Sequence, residues 1–159
     1  MDRIDRIIHN DEYAYLMSMI EENETGRIFC CHGLGHCLDV ARIAYIMNLE
    51  DGYGIDRELI YAAALLHDVG RADPGNTGRR HHELSVECAV DILGQTGFSD
   101  EEAAQISDAI RSHNTDGAER TGLAYLLYKA DKLSRNCFNC GASDQCYWTQ
   151  ENKNTGIYY

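Results

Sequence analysis

The sequence predicts an all-α fold in a single domain of about six helices, and three observations carry that prediction. Apolar residues recur at helical rather than alternating spacing through most of the chain. Only one proline, Pro74, occurs in 159 residues, and proline is the residue that helix interiors tolerate least. No run of alternating apolar and polar residues between turn signals marks a strand. At this length roughly 70% of the unfolded surface is buried on folding, enough for one core. With no internal repeat, linker or low-complexity segment, residues 1–159 read as one domain: an N-terminal helix to 26, a core from 27 to 135 and a cysteine-rich tail from 136.

Each element has its own signal. The first helix is expected over about Arg3 to Glu22, where Ile4, Ile7, Ile8, Tyr15, Leu16, Met19 and Ile20 tend to one face. A second starts near Gly33 or Leu34 and carries Val40, Ile43, Ala44 and Met47. Asp56 is a suitable N-cap for the third. The apolar run Ile60, Ala63, Ala64, Leu65, Leu66 makes that helix buried on most sides and central, with Gly70 as its C′ residue. Arg71 to Arg80 contains Asp-Pro-Gly-Asn-Thr-Gly and reads as a loop. A fourth helix follows over about His82 to Leu93. The fifth begins at Ser99, whose spacing to Glu102 is that of a capping box. The sixth spans about Glu119 to Arg135, with Leu123, Leu126, Leu127 and Ala130 inward. Beyond Arg135 the composition turns to Asn, Gly, Cys and aromatics, which describes a loop-like tail.

Composition excludes several classes of function. A formal charge of −12 argues against a general nucleic-acid binder, which needs basic surface. It leaves room for a small phosphorylated substrate, because a bound divalent ion reverses the local polarity. The longest apolar stretch, Tyr61 to Leu66, is too short for a bilayer. MDRIDRIIHNDE has no apolar signal core, so the expected location is cytoplasmic. Seven cysteines, two of them the neighbours Cys30 and Cys31, suit thiols or metal ligands better than a disulfide framework.

Five of the seven histidines, His36, His67, His81, His82 and His113, fall in or beside the first or last turn of an expected helix. Histidine and carboxylate are the ligands of catalytic divalent metals. His67 and Asp68 would point about 100° apart on a regular helix, but an ion off the helix end can meet both. Asp68, with two oxygens, can also bridge two ions. A lone His-Asp pair means little, and a buried helical histidine is ordinarily a satisfied core residue. The weight lies in order and context: His36 before Cys-Leu-Asp-Val-Ala-Arg-Ile-Ala, the pair in Ala-Leu-Leu-His-Asp-Val-Gly-Arg, and Asp131 in Lys-Ala-Asp-Lys-Leu-Ser.

That ordered set resembles the HD superfamily of metal-dependent phosphohydrolases over about residues 27 to 135. The resemblance implies a helical fold around a central metal cleft and the ligands His36, His67, Asp68 and Asp131. Within the family's dinuclear subset, His81 of His81-His82-Glu-Leu-Ser and His113 of Ile110-Arg-Ser-His113 match the two added histidines. Ala109-Ile-Arg-Ser-His-Asn-Thr and Leu126-Leu-Tyr-Lys-Ala-Asp-Lys-Leu are similar to segments of the bacterial symmetric diadenosine tetraphosphate hydrolases. Asn114 stands where some members carry a further histidine, and Gly-Arg-Ala after Asp68-Val departs from the cyclic-dinucleotide-cleaving branch. The implied activity is hydrolysis of a nucleotide or other small phosphorylated molecule by metal-activated water, with Asp68, His67 and His81 at the reacting centre. The implied cofactor is a divalent transition metal, as two ions of iron or manganese, with magnesium, cobalt, nickel and zinc also compatible. A homo-oligomer is compatible with the sequence; large nucleic acid and membrane are not expected partners.

Five basic residues beside these positions are candidates to hold phosphate: Arg27, Arg71, Arg79, Arg80 and Lys132. Arg79 and Arg80 stand out because they sit in a glycine-flanked loop directly before His81, although for any single one of the five a solvated surface charge is the better reading. His32, one turn before His36, either faces the cleft or only starts the helix. Two other readings share the scaffold: a dinuclear-iron oxygenase, and a non-catalytic metal-binding sensor. Retention of the full ligand set speaks against the sensor. In the tail, Cys137, Cys140 and Cys146 form a C-x2-C-x5-C arrangement that can wrap zinc or an iron–sulfur cluster. The fourth ligand would be Cys30 or Cys31 if the tail folds back; otherwise these are reduced thiols in a loop.

Overall fold

A computed structural model describes residues 1–114 and 119–159; Thr115, the last residue of the Ala109 segment quoted above, lies outside them. Seven α-helices and no strand occur among the described residues: α1 (Asp2–Ile8), α2 (Asp11–Asn23), α3 (Leu34–Glu50), α4 (Arg57–Leu66), α5 (His81–Thr96), α6 (Asp100–Ser112) and α7 (Gly122–Leu133). A 3₁₀ turn at Val69–Ala72 links α4 to the loop before α5, and three more short turns punctuate the tail. No helix is long and apolar enough to cross a membrane.

The expected first helix is two. Asn10 adopts an extended backbone and its Oδ1 accepts a hydrogen bond from the Tyr13 amide at 3.0 Å. Asn gains more as an N-cap than in a helix interior, so the apolar face continues through a break that periodicity does not register. Asp56 caps α4 through the Glu58 amide, and both halves of the Ser99–Glu102 capping box are formed.

Helix α4 is the axis of the molecule, packed against α3, α6, α1, α7 and α5. Leu59, Ile60 and every residue from Ala62 to Leu66 are buried. The three consecutive alanines let neighbouring helices approach closely, and the leucines fill the space beyond. The end of α4, with the candidate ligands, is therefore delivered to the middle of the bundle.

Gly70 is not the C′ residue of that helix. Helix α4 stops at Leu66 and the chain continues through the 3₁₀ turn, with the left-handed residue displaced to Asp73 (φ 37°). Gly70 is required for a different reason. A Cβ there would lie 2.1 Å from the His81 carbonyl oxygen and 2.4 Å from the Ser85 amide nitrogen. Its own amide donates to Ser85 Oγ at 2.9 Å, so the start of α5 rests directly on this backbone.

Candidate metal centre

Two helix ends present their histidines by the same device. His67 follows the last residue of α4, and its Nδ1 is 2.7 Å from the Ala64 carbonyl. His113 follows α6, with Nδ1 2.6 Å from the Ile110 carbonyl. Each ring donates to a carbonyl that its helix end leaves without an intrahelical partner. That bond puts the proton on Nδ1 and leaves the Nε2 lone pair facing inward. Asp68 has left the helix (φ −115°, ψ 5°), so the angular separation of adjacent helical side chains no longer applies. His67 Nε2 lies 3.3 Å from Asp68 Oδ2.

The two oxygens of Asp68 face two different sets of ligands. On the Oδ2 side are His67 at 3.3 Å and His36 Nε2 at 3.9 Å. On the Oδ1 side are His81 Nε2 at 3.4 Å and His113 Nε2 at 3.8 Å. In both groups, His36–His67–Asp68 and Asp68–His81–His113, the ligand atoms lie within 4.8 Å of one another. Such spacings suit an ion at about 2.1 Å from each ligand. Asp131, from α7, joins through His36, with Oδ1 3.5 Å from its Nε2. Its other oxygen is 3.2 Å from Lys132 Nζ and 3.4 Å from Arg135 Nη2. Ser134 Oγ stands 3.3 Å from His36 Nδ1.

The donor set fits divalent metal. His81 Nε2 is buried with no hydrogen-bond partner, and Asp68 Oδ1 lacks one as well, with the Arg71 ion pair beside it, a costly state for the ring nitrogen unless another group satisfies it. His36 and His67 point Nε2 at Nε2 across 3.3 Å, which is favourable only when something positive sits between the lone pairs or one ring gives up its preferred tautomer. Electrostatics agree. Burial pushes the Asp68 carboxyl up, but the neighbouring His67, His113 and Arg71 outweigh it and hold the group ionised well below the usual range. Burial, reinforced by His67, holds His36 down to about 4; burial and Arg71 hold His81 down to about 3.

These shifts make the metal-free protein acid-sensitive. Above the ordinary histidine value of 6.5 both rings are neutral, folded or unfolded, and their contribution is intact. As pH falls below 6.5 only the unfolded chain takes up these protons, so stability is lost progressively towards pH 4 and 3. His67, held up by Asp68 against its burial, has the opposite sign and works against them. The melting temperature of chelator-treated protein is expected to drop between about pH 6.5 and about pH 4.5. A flat profile there would show that the rings are not held neutral.

A cleft of about 420 Å³ opens over this centre. Arg27, Arg71 and Lys132 line it, and Arg71 Nε pairs with Asp68 Oδ1 at 2.9 Å. Arg79 and Arg80 do not line it: both are exposed, and Arg79 forms a two-pronged ion pair with Glu87 on α5. The loop that carries them leads to His81 but runs on the outside of the molecule. Of the adjacent pair, His81 turns to Asp68 while His82 stays behind it, beside His113. His32 does face the centre, with Nε2 3.9 Å from Asp68 Oδ2.

Two participants escape the sequence reading. Glu24, just past α2, clamps His32 by accepting from its amide at 2.7 Å and pairing with its Nδ1 at 2.5 Å. Arg135 lines the cleft and reaches Asp131. Nothing local marks Glu24 among the chain's many acids; Arg135, one helical turn after Asp131, could have been found by spacing.

Known proteins resemble this chain to different extents. A protein of Clostridium beijerinckii is 41% identical over 159 residues, the whole of both chains. Ribonuclease Y of Acetivibrio thermocellus is 31% identical over 101 residues, 64% of this chain but 17% of that protein. Ribonuclease Y of Bacillus subtilis is 33% identical over 101 residues, again 64% of this chain and here 18% of that protein. The crystal structure of a predicted HD superfamily hydrolase from an uncultured Thermotogales bacterium superposes with a TM-score of 0.63 at 25% identity, covering 92% of this chain and 82% of the other. The HD domain pattern matches residues 33–136, from the N-cap of α3 to just beyond Arg135. That span holds His36, His67, Asp68, His81, His113 and Asp131, and with it the chain belongs to the HD domain family.

Proposed function

We propose that this protein is a metal-dependent phosphohydrolase that cleaves a nucleotide or another small phosphorylated molecule. The observation that carries this reading is Asp68, one buried carboxylate whose two oxygens each face a separate group of inward histidines. Divalent ions held by these groups would supply a water nucleophile ionised near neutral pH and positive charge for the phosphoryl oxygens. His67 and His113 are oriented with Nε2 inward by their carbonyl bonds, and Glu24 and Ser134 orient His32 and His36. Arg27, Arg71 and Lys132 line the approach and are suited to bind the phosphate ahead of the reacting bond.

The size and charge of the site favour a small substrate. A cleft of about 420 Å³ is in the range of small-molecule sites, and the surrounding chain is strongly acidic. The ribonuclease Y relatives act on RNA by name, and that likeness covers less than a fifth of their length. The segments similar to symmetric diadenosine tetraphosphate hydrolases point instead to soluble nucleotides. Seven free thiols suit the cytoplasm, where we place the activity.

The test is turnover by protein reloaded with Mn²⁺ or Fe²⁺, offered nucleoside mono-, di- and triphosphates, dinucleoside tetraphosphates and a short RNA. Chelator-sensitive hydrolysis of the soluble nucleotides is the expected result. Cleavage confined to RNA would overturn the substrate class, and oxygen uptake without hydrolysis would overturn the reaction class in favour of the oxygenase reading. Lys132→Gln should lower kcat/KM about 10- to 100-fold, the worth of one charged hydrogen bond, with metal content unchanged. Metal loss in that variant would instead make Lys132 a support for Asp131.

A further inference from the structure

Beyond the centre at Asp68, the outer wall of the same cleft is built from cysteines: Cys30, Cys31, Cys137, Cys140 and Cys146 all line it. They arrive from two segments separated by the whole of α3 to α7, and all are free thiols. The tail after α7 has little else to order it. Past Arg135, only Ala142 and Asn154 are buried, and the regular structure is three 3₁₀ turns. Ordering backbone costs roughly 1–2 kcal/mol per residue, which two small buried side chains do not offset. Segments without a core of their own are ordinarily held by a disulfide or a metal. Asn154 Nδ2 fastens the far end of the tail, donating to the Leu133 and Arg135 carbonyls at 2.8 Å each. The cysteine-bearing half has no equivalent anchor of that kind among the described residues.

The turns bring the tail thiols to the cleft wall that also carries Cys30. Cys137–Asn139 is a 3₁₀ turn closed by the Cys140 amide on the Cys137 carbonyl at 3.4 Å, a knuckle that brings both ends of a C-x2-C motif to one side. The next turn returns the chain at Cys146, whose amide reaches the Ser143 carbonyl at 3.3 Å. The sequence offers Cys30 and Cys31 equally as the fourth ligand, and the fold separates them. The Cys30 thiol is within electrostatic reach of Cys137 and Cys140, whereas Cys31 Sγ is turned back onto the Phe29 carbonyl at 3.6 Å. Positive charge waits beside the set. Arg135, with its side chain 10% exposed, keeps a buried Nη1 that has no hydrogen-bond partner, and Arg27 Nε holds the Cys30 carbonyl at 2.8 Å.

We propose that Cys30, Cys137, Cys140 and Cys146 bind a zinc ion in a closed structural site that clasps the tail against the rim of the cleft. Four thiolates around a divalent ion leave net negative charge, which Arg135 and Arg27 are placed to neutralise. The groups already drawn within 4.8 Å are the two at Asp68; the sulfurs stand wider, and their turn-borne, partly exposed positions let binding pull them together. The clasp also positions Trp148, which stacks on Tyr147 and covers the Arg135 guanidinium at 4.3 Å, so one wall of the substrate cleft depends on it.

Cobalt substitution separates this site from the other, because only thiolates give intense sulfur-to-cobalt charge-transfer absorption. Full-length protein purified anaerobically and reloaded with Co²⁺ is expected to show that band. Cys30→Ser, Cys137→Ser, Cys140→Ser and Cys146→Ser should each abolish it and lower the zinc content, while Cys31→Ser and Asp68→Ala keep it. Should a serine variant fail to fold, alkylation of the wild type reads the same ligands: these four cysteines should resist until a chelator is added, with Cys31 reacting throughout. Absence of the band in the wild type, or its loss in Cys31→Ser with retention in Cys30→Ser, overturns the assignment. An iron–sulfur cluster or a Cys137–Cys140 disulfide in the anaerobically purified protein also overturns it.

Discussion

Asp68→Ala protein is expected to lose its catalytic metal and to turn over substrate about 10³-fold more slowly or worse, a loss of roughly 4 kcal/mol in transition-state stabilisation. The size of the effect follows from position. Asp68 is the one residue common to both ligand groups, so its removal disables both, whereas His36→Ala or His113→Ala touches one. The carboxylate is also the counter-charge that His67, His81, His113 and Arg71 surround. Without it, an incoming divalent ion keeps the Asp131 carboxylate on the His36 side alone. Asp68→Asn is the sharper control, since it preserves volume and removes charge. Elemental analysis beside kinetics decides the matter: a metal-free Asp68→Ala protein with wild-type turnover would sink the metal mechanism.

Gly70→Ala should be the most damaging single methyl group in the chain. The added Cβ would stand 2.1 Å from a backbone oxygen and 2.4 Å from a backbone nitrogen of α5, and 2.8 Å from Leu84 Cβ. No rotamer change relieves a clash with backbone, so α5 must lift from the turn after Asp68. Overpacking of this kind costs about 3 kcal/mol, which for a chain of this size lowers the melting temperature by about 6–12 °C. The lifted element begins with His81 and holds the Gly70 amide through Ser85. Metal affinity on the Asp68–His81–His113 side should therefore weaken along with stability. Gly94→Ala is the matched control: Gly94 lies inside α5, and a methyl group added there would have nothing within 4 Å. That change should be neutral or stabilising by up to about 1 kcal/mol. Equal melting temperatures for Gly70→Ala and wild type would show that α5 is not seated on this glycine.

The same contrast shows how far local pattern reaches. Gly70 follows an apolar helix, so chain order suggests a helix stop, yet the glycine answers to a carbonyl eleven residues later that periodicity cannot see. Arg79 and Arg80 look like phosphate ligands because they precede His81, but direction from a loop is set by what the loop packs on, and Arg79 found Glu87 instead. Conversely His32 and Glu24 meet across the turn between α2 and α3, a pairing that depends on where α2 is docked through Asn23 to the Ala72 carbonyl.

By itself, then, the sequence determined the helices from α3 to α7 with the caps at Asp56 and Ser99, the central standing of α4, and the chain order of His36, His67, Asp68, His81, His113 and Asp131. Those are properties of neighbours along the chain, written in hydrophobic period, capping chemistry and motif order. Only the tertiary structure decided that Asp68 faces two groups at once, that Arg27, Arg71 and Lys132 rather than Arg79 and Arg80 line the cleft, and that cysteines from both ends of the chain share one cleft wall. Each of these is a meeting of side chains far apart in sequence, and such meetings are settled by how helices pack around α4, which no local spacing encodes.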